Sequence, residues 1–246
     1  MANPWLILET SGRAGVVGVA DGERLLAERA LDGAKRHNRD LVPLCAELLA
    51  ECGFAAKQLT GVMVGLGPGS YTGLRVGLTA AKGFALATVC AFVAVPTFHT
   101  LAALVPTEWP AVDVISDALQ GTVYHQRFGV VAGSSLRTPE SDLRIVPFDD
   151  WKESRDPAVG VTGPGAEQFR DRLAGCRIAV TADCQPRAEG VLRVGRAVVP
   201  LTRLEWFAVE PLYLRGSSAE EKAPSNRAAM RPLRSITYVH GSVSRR

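Results

Sequence analysis

A phosphate group could be held where residues 62–73 pass from an apolar run into a helical one. Val62, Met63 and Val64 lead into a loop holding Gly65, Gly67, Pro68, Gly69, Ser70 and Thr72. Beyond it, Leu74, Leu78, Ala81, Ala85 and Thr88 recur at helical spacing. Glycines supply backbone angles closed to other residues, and Ser70 or Thr72 can cap the first unpaired helix amides. A strand, a glycine-rich turn and a helix N-terminus make a natural anion site, with Gly67, Gly69, Ser70 and Thr72 as its phosphate contacts. The same segment also reads as a tight turn that lets a small-residue helix pack closely. Neither standard phosphate motif fits: Gly73 is followed by Leu74 and Arg75, and Thr72 stands where the dinucleotide fingerprint needs its third glycine.

Two acids end apolar runs, Glu9 and Asp117, and each run passes into a hairpin pattern. Facing each other across a cleft, such carboxylates could hold a hydrated magnesium; as isolated strand ends they serve equally as turn or capping residues. The four histidines (His37, His99, His125, His240) lack the paired spacing of a helical metal site, and no serine sits in a G-x-S-x-G elbow. Cys45, Cys52, Cys90, Cys176 and Cys184 form an odd, scattered set without a C-x-x-C pair. Such a set suits reduced thiols, and Cys45 and Cys52 share one helical face directed at the core.

The elements that must position these residues follow from periodicity. Strands are predicted at 5–10, 14–20 and 23–31 with a turn at Asp21-Gly22, and a helix over 36–52 stops at Gly53. The loop and its helix come next, then a strand over 92–95 and a short helix over 97–104. The order βββ-α-β-α-β is that of a ribonuclease H-like half-domain with a mixed sheet. A second half starts near Ala111, with strands at 112–116 and 122–128, a strand and glycine turn over 158–165, a helix at about 166–174, a strand over 177–182 and a weak helix over 187–197. The helix after the loop carries Gly73, Gly77, Ala80, Ala81, Gly83, Ala85 and Ala87, which leave much of its surface flat. Interior glycine costs ~1 kcal/mol against alanine, so Gly77 and Gly83 need a use. Packing on the chain's own sheet is one, and a helix–helix interface with another subunit is the other.

The chain has 246 residues, enough for one core or two small domains sharing a cleft. No apolar run approaches a membrane span, and MANPWLILETS reads as a first strand rather than a signal peptide, so the cytoplasm is expected. Residues 217–246 carry six Lys or Arg and two Glu, a net +4 that leaves −1 on residues 1–216. This basic tail has little periodicity and reads as disordered, either inert or in electrostatic contact with RNA.

Five segments together carry a family resemblance: ILETSGRAGVVGVADGERLLAER, KRHNRDLVPLCAELL, VGLGPGSYTGLRVGLTAAKGFALA, SDALQGTVYHQRF and EPLYLR. From about residue 5 to 215 the chain resembles the TsaB (YeaZ) family, the bacterial non-catalytic partners in tRNA threonylcarbamoyladenosine modification. The resemblance implies two ribonuclease H-like half-domains of the actin/sugar kinase/Hsp70 superfamily, here residues 1–106 and a shortened 107–215 ahead of the 216–246 tail. It implies a catalytic partner, TsaD, and a small ATPase, TsaE, with tRNA bound through the complex. It further implies threonylcarbamoyl transfer to the adenosine 3′ of the anticodon, with ATP and magnesium in the complex and none assigned to this chain alone. The family's two N-terminal helices, here residues 36–52 and 73–88, pack against the partner's equivalents. Leu41, Leu44, Leu48, Thr72, Gly73, Leu74, Gly77, Ala80 and Ala81 are therefore the expected partner-interface residues.

Two departures weaken nucleotide handling by this chain itself. Glu9 stands where relatives usually carry Asp, and Leu66 where many carry Arg. The metal-binding histidine pair of the catalytic paralogue is absent, with His37 alone in the comparable helix. The alternative function is an independent small ATPase or kinase using Glu9 and Asp117 with magnesium; a peptidase lacks any nucleophile–base or metal pair. The flat helices also permit a homodimer.

Overall fold

The computed structural model describes residues 2–31, 37–131, 133–134 and 136–215, with only the backbone of residues 37–39. The tail over 216–246 and the His37 side chain lie outside the described residues.

The first three strands, β1 (Pro4–Glu9), β2 (Val16–Asp21) and β3 (Arg24–Ala30), form an antiparallel meander. Asp21 still pairs with Arg24, so the turn lies at Gly22-Glu23, one residue later than predicted, with Gly22 at φ +60°. Helix α1 (His37–Glu51) crosses over to β4 (Gly61–Gly65), and α2 (Tyr71–Thr88) to β5 (Ala91–Val95). Both later strands are parallel to β1, giving the order β3-β2-β1-β4-β5 expected of a ribonuclease H-like half. Leu6, Leu8, Val62 and Val64 point to one face, under α1 and α2, while Trp5, Ile7 and Met63 point to the other. With both faces covered, β1 and β4 are buried along their whole length, which is why they read as unbroken apolar runs.

Helix α3 (Thr97–Ala102) leads to the second sheet, built from β6 (Ala111–Asp117), β7 (Thr122–Val130), β8 (Arg137–Pro139), β9 (Arg144–Pro147) and β10 (Gly160–Thr162). Its order is β10-β6-β7-β8, with β9 also on β7, and α4 (Phe148–Ser154) and α5 (Pro164–Gln168) beside it. Asp113 of β6 is wholly buried and accepts from Arg127 Nε (2.8 Å), Arg127 Nη2 (3.0 Å) and His125 Nε2 (2.9 Å). The strand predicted over 177–182 reduces to a single bridge, Ile178 to Val161, before a 3-10 turn at Thr181–Cys184. Val161 N and Ala179 N close this bridge in both directions, and Thr181 leaves the extended path. The helix expected at 166–174 breaks into α5 and a 3-10 turn at Arg170–Leu173.

The C-terminal segment returns to the first sheet. Helix α6 (Ala188–Gly195) fills the face opposite α1 and α2 with Ala188, Val191, Leu192 and Val194. A Cβ on Gly18 would lie 2.4 Å from that of Ala188, so a bare glycine in β2 permits the approach. Helix α7 (Arg203–Ala208), which periodicity did not reveal, buries Trp206 stacked on Phe92 at 5.4 Å. The chain then straps across the loop, with Leu212 N donating to Leu66 O at 2.8 Å. A boundary at residue 106 thus divides the sequence but not the packing.

Candidate functional site: the glycine loop and the outer faces of α1 and α2

The loop between β4 and α2 is held from inside the chain. Leu66 N donates to Val95 O (2.8 Å), Gly67 N to Thr97 Oγ1 (3.1 Å), and Ser70 N to Ser11 O (2.8 Å). The Ser70 hydroxyl caps α2 by accepting from Gly73 N at 3.2 Å, which selects Ser70 over Thr72 as the cap. Gly67 sits at φ +94°, and a Cβ on Gly69 would lie 2.4 Å from Ser11 O. The amides of Gly67 and Ser70 that could have cradled a phosphate are already donating to protein oxygens. Gly67 and Ser70 thus serve the packing of a tight turn, the other reading of this segment.

Glu9 is sealed beneath it. Its carboxylate is 1% exposed and accepts from Ser11 N (2.9 Å) and Thr97 Oγ1 (3.0 Å). A Cβ on Gly65 would stand 2.1 Å from Oε2, so glycine at the end of β4 makes room for the longer acid. Burial pushes the Glu9 pKa up, against the pull of its Ser11 and Thr97 bonds. Asp117 is the residue of a turn: Oδ1 accepts from Leu119 N and Oδ2 from Gln168 Nε2, both at 2.8 Å. Both carboxylates therefore have structural partners, and Glu9, sealed from solvent, offers no open oxygen to the waters of a hydrated magnesium. Among the described residues no group of three or more His, Cys, Asp or Glu is arranged to hold a metal. The Cys45 thiol, pushed up to about 12 by burial, is equally inert.

The helix glycines divide by role. A Cβ on Gly73 would lie 2.1 Å from Thr10 O, and one on Gly77 2.1 Å from Thr10 Oγ1. These two let α2 pack on the end of β1, so they face the chain's own core. Leu41, Leu48 and Ala81 are likewise buried in the first core, and Leu74 is buried as well. Of the nine expected interface residues, these six are corrected to core positions, because the apolar stripe with helical period is the one that covers the sheet. Thr72 is exposed, while Leu44 and Ala80 are half-buried and reach the surface.

The outward residues include ones that periodicity passed over. Val42 is 51% exposed on α1 and Leu86 50% exposed on α2. Gly83 is exposed, and a Cβ there would meet nothing within 4 Å. The apolar surface continues beyond α2: Lys82 Nζ holds Phe207 O and Val209 O at 2.9 Å, beside exposed Phe207 and Leu204. At the other end of α2, Arg75 lies 4.2 Å over the Tyr71 ring and donates from Nε to Tyr213 Oη at 2.9 Å, pinning the strap. Apolar residues that interrupt the core stripe, such as Val42 and Leu86, are the signal that could have marked this face.

A family model described as TsaD, tRNA N6-adenosine threonylcarbamoyltransferase, matches residues 26–138, which include α1, the loop and α2. The tRNA threonylcarbamoyladenosine biosynthesis protein TsaB of Escherichia coli is 30% identical over 199 residues, covering 77% of this chain and 85% of that protein. The Bacillus subtilis protein of the same name is 26% identical over 223 residues, covering 88% and 96%. A solved structure of YeaZ from Pseudomonas aeruginosa shares the fold at a TM-score of 0.69 and 22% identity, covering 86% of this chain and all of that one. No helix among the described residues is long and apolar enough to cross a membrane. With the expected fold, the expected loop and a 30%-identical relative matched over most of its length, the chain belongs to the TsaB family.

Proposed function

We propose that this chain is a non-catalytic scaffold subunit in tRNA threonylcarbamoyladenosine modification, and that it binds the catalytic subunit TsaD through the outward faces of α1 and α2. In that complex TsaD transfers threonylcarbamoyl to the adenosine 3′ of the anticodon, TsaE hydrolyses ATP, and tRNA is engaged by the assembly. The observation that carries the reading is Gly83, an exposed glycine within a helix whose missing side chain meets nothing in its own chain. Glycine there costs ~1 kcal/mol of helix stability, and close approach of a second helix offsets that cost. Exposed Val42 and Leu86 supply apolar area on the same side of the sheet. The absence of chemistry from this chain is supported by the burial of Glu9 and the structural bonds of Asp117, which also weigh against an independent ATPase.

The test is threonylcarbamoyl transfer and magnesium-ATP turnover by this chain, by TsaD with TsaE, and by the mixture. Activity only in the mixture, lost together with TsaD binding in Leu86→Asp and Val42→Asp, is expected. Turnover by this chain alone, or full binding by both variants, overturns the proposal.

A further inference from the structure

The tip between β6 and β7 holds three consecutive residues at positive φ: Leu119 (+66°), Gln120 (+52°) and Gly121 (+73°). Only glycine adopts that region without cost, so Leu119 and Gln120 are strained. Leu119 gains little burial in return, being 64% exposed. Local bonds hold part of the turn. Leu119 N donates to Asp117 Oδ1, Thr122 N and Oγ1 both donate to Leu119 O, and Ala118 N donates to Thr122 O. Phe148 N reaches the turn at Gly121 O, but that residue is the glycine, which needs no holding.

The hold on Gln120 comes from the far end of the chain. Arg215 donates from Nη1 to Ala118 O and from Nη2 to Gln120 Oε1 (2.9 Å), residues 97 and 95 positions earlier. Two residues before it, Tyr213 is fixed to α2. Its ring centre lies 4.8 Å from that of Tyr71, and its Oη accepts from Arg75 Nε at 2.9 Å. Leu212 N is bonded to Leu66 O, and Lys82 Nζ anchors the start of the strap at Val209 O. The strap therefore runs from the surface of α2 in the first half to a strained tip in the second. It has little slack, since two residues span at most about 7 Å. Strain of this kind persists only where surrounding contacts over-determine the backbone, and Arg215 supplies the contact from outside the turn.

We infer that the strap is a conformational tie between the two halves: the Tyr71–Arg75–Tyr213 contact on α2 keeps Arg215 on the tip, and loss of that contact releases the tip to a relaxed turn. A molecule that displaces Tyr213 is then sensed at Leu119, and one that seats on Leu119 is sensed at α2, as linkage requires. The tie is a property of the free chain, so it stands or falls separately from the TsaD-docking reading.

The experiment is hydrogen exchange of the full chain, followed in peptides across the tip and, as a reference, across β1. Arg215→Met should speed exchange at the tip by about tenfold or more, the loss of a charged two-donor contact. Arg75→Met and Tyr213→Phe leave the tip's own contacts in place. Each should speed exchange at the tip by a smaller factor, with β1 unchanged. Leu119→Asn puts a residue that accepts positive φ at the tip, so the effect of Arg215→Met should shrink in that background. Unchanged exchange at the tip in Arg215→Met overturns the inference. So does a rise that neither Arg75→Met nor Tyr213→Phe shares, which would leave a local clamp without coupling. An Arg215→Met effect just as large in the Leu119→Asn background overturns it too, because no strain would then be held.

Discussion

Alanine at two glycines six residues apart on α2 should change stability in opposite directions. At Gly83 an added Cβ meets no atom within 4 Å, so Gly83→Ala gains the helix-propensity difference of about 1 kcal/mol. For a chain of this size that corresponds to a rise of about 2–4 °C in Tm. At Gly77 the same methyl would stand 2.1 Å from Thr10 Oγ1 and 3.1 Å from Thr10 Cβ and Cγ2. Thr10 is buried and lies against the helix it would have to leave. Overpacking of this kind costs about 1–3 kcal/mol, against the same gain of about 1 kcal/mol, so Gly77→Ala should lose up to about 2 kcal/mol. Thr10→Ala removes the hydroxyl at the point of collision and should recover part of that loss in the double variant. Chemical denaturation of these four variants and the wild type measures each term. Equal stabilisation by Gly77→Ala and Gly83→Ala would refute the division of α2 into an inner and an outer face. Binding extends the contrast: Gly83→Leu should weaken the TsaD complex while the isolated chain stays folded.

Further outcomes follow from buried charge and from the C-terminal strap. Burial raises the Glu9 pKa above the ordinary 4.5, so above pH 4.5 the native state holds the proton longer than the unfolded chain and stability falls as pH rises towards the folded value. Glu9→Gln keeps an acceptor for Ser11 N and should remove that fall; a wild-type-to-variant difference that is flat with pH, measured by urea unfolding, would contradict it. Asp113 runs the other way: burial opposes its charge, but His125 and Arg127 more than offset that and hold its pKa below 3.8. Its contribution is present above pH 3.8 and is lost as pH falls through the folded value. Arg127→Met leaves that buried carboxylate with His125 alone and should cost about 3 kcal/mol in the same assay at neutral pH. Trp206→Ala empties the Phe92 stack and should cost about 3–5 kcal/mol, with faster proteolysis after residue 200 as the local readout.

Much of the first half was legible because its signals are local. Alternating and continuous apolar runs set β1, β2 and β4, Gly53 at φ +82° stops α1, and Ser70 caps α2. The second half was less legible because its pieces are short. Strands as short as β8 and β9 have too few alternations to show a period, and the stretch at 177–182 has strand-like residues but only one neighbour to pair with. Helix α7 is six residues long, and its one buried aromatic is recognisable only beside Phe92.

By itself, the sequence determined the strand–loop–helix unit, its cap and the family to which these motifs belong, since each depends on neighbours a few residues apart. Tertiary structure alone decided which side of each residue is occupied. Gly73, Gly77 and Gly83 are the same residue type in one helix, and only the position of Thr10 makes two of them core and leaves the third open. Glu9 reads as a metal ligand until Ser11, Gly65 and Thr97, up to 88 residues away in sequence, enclose it. The physical reason is the same in both cases: periodicity records which residues avoid water, whereas burial, hydrogen-bond partners and free surface depend on what the rest of the chain brings alongside.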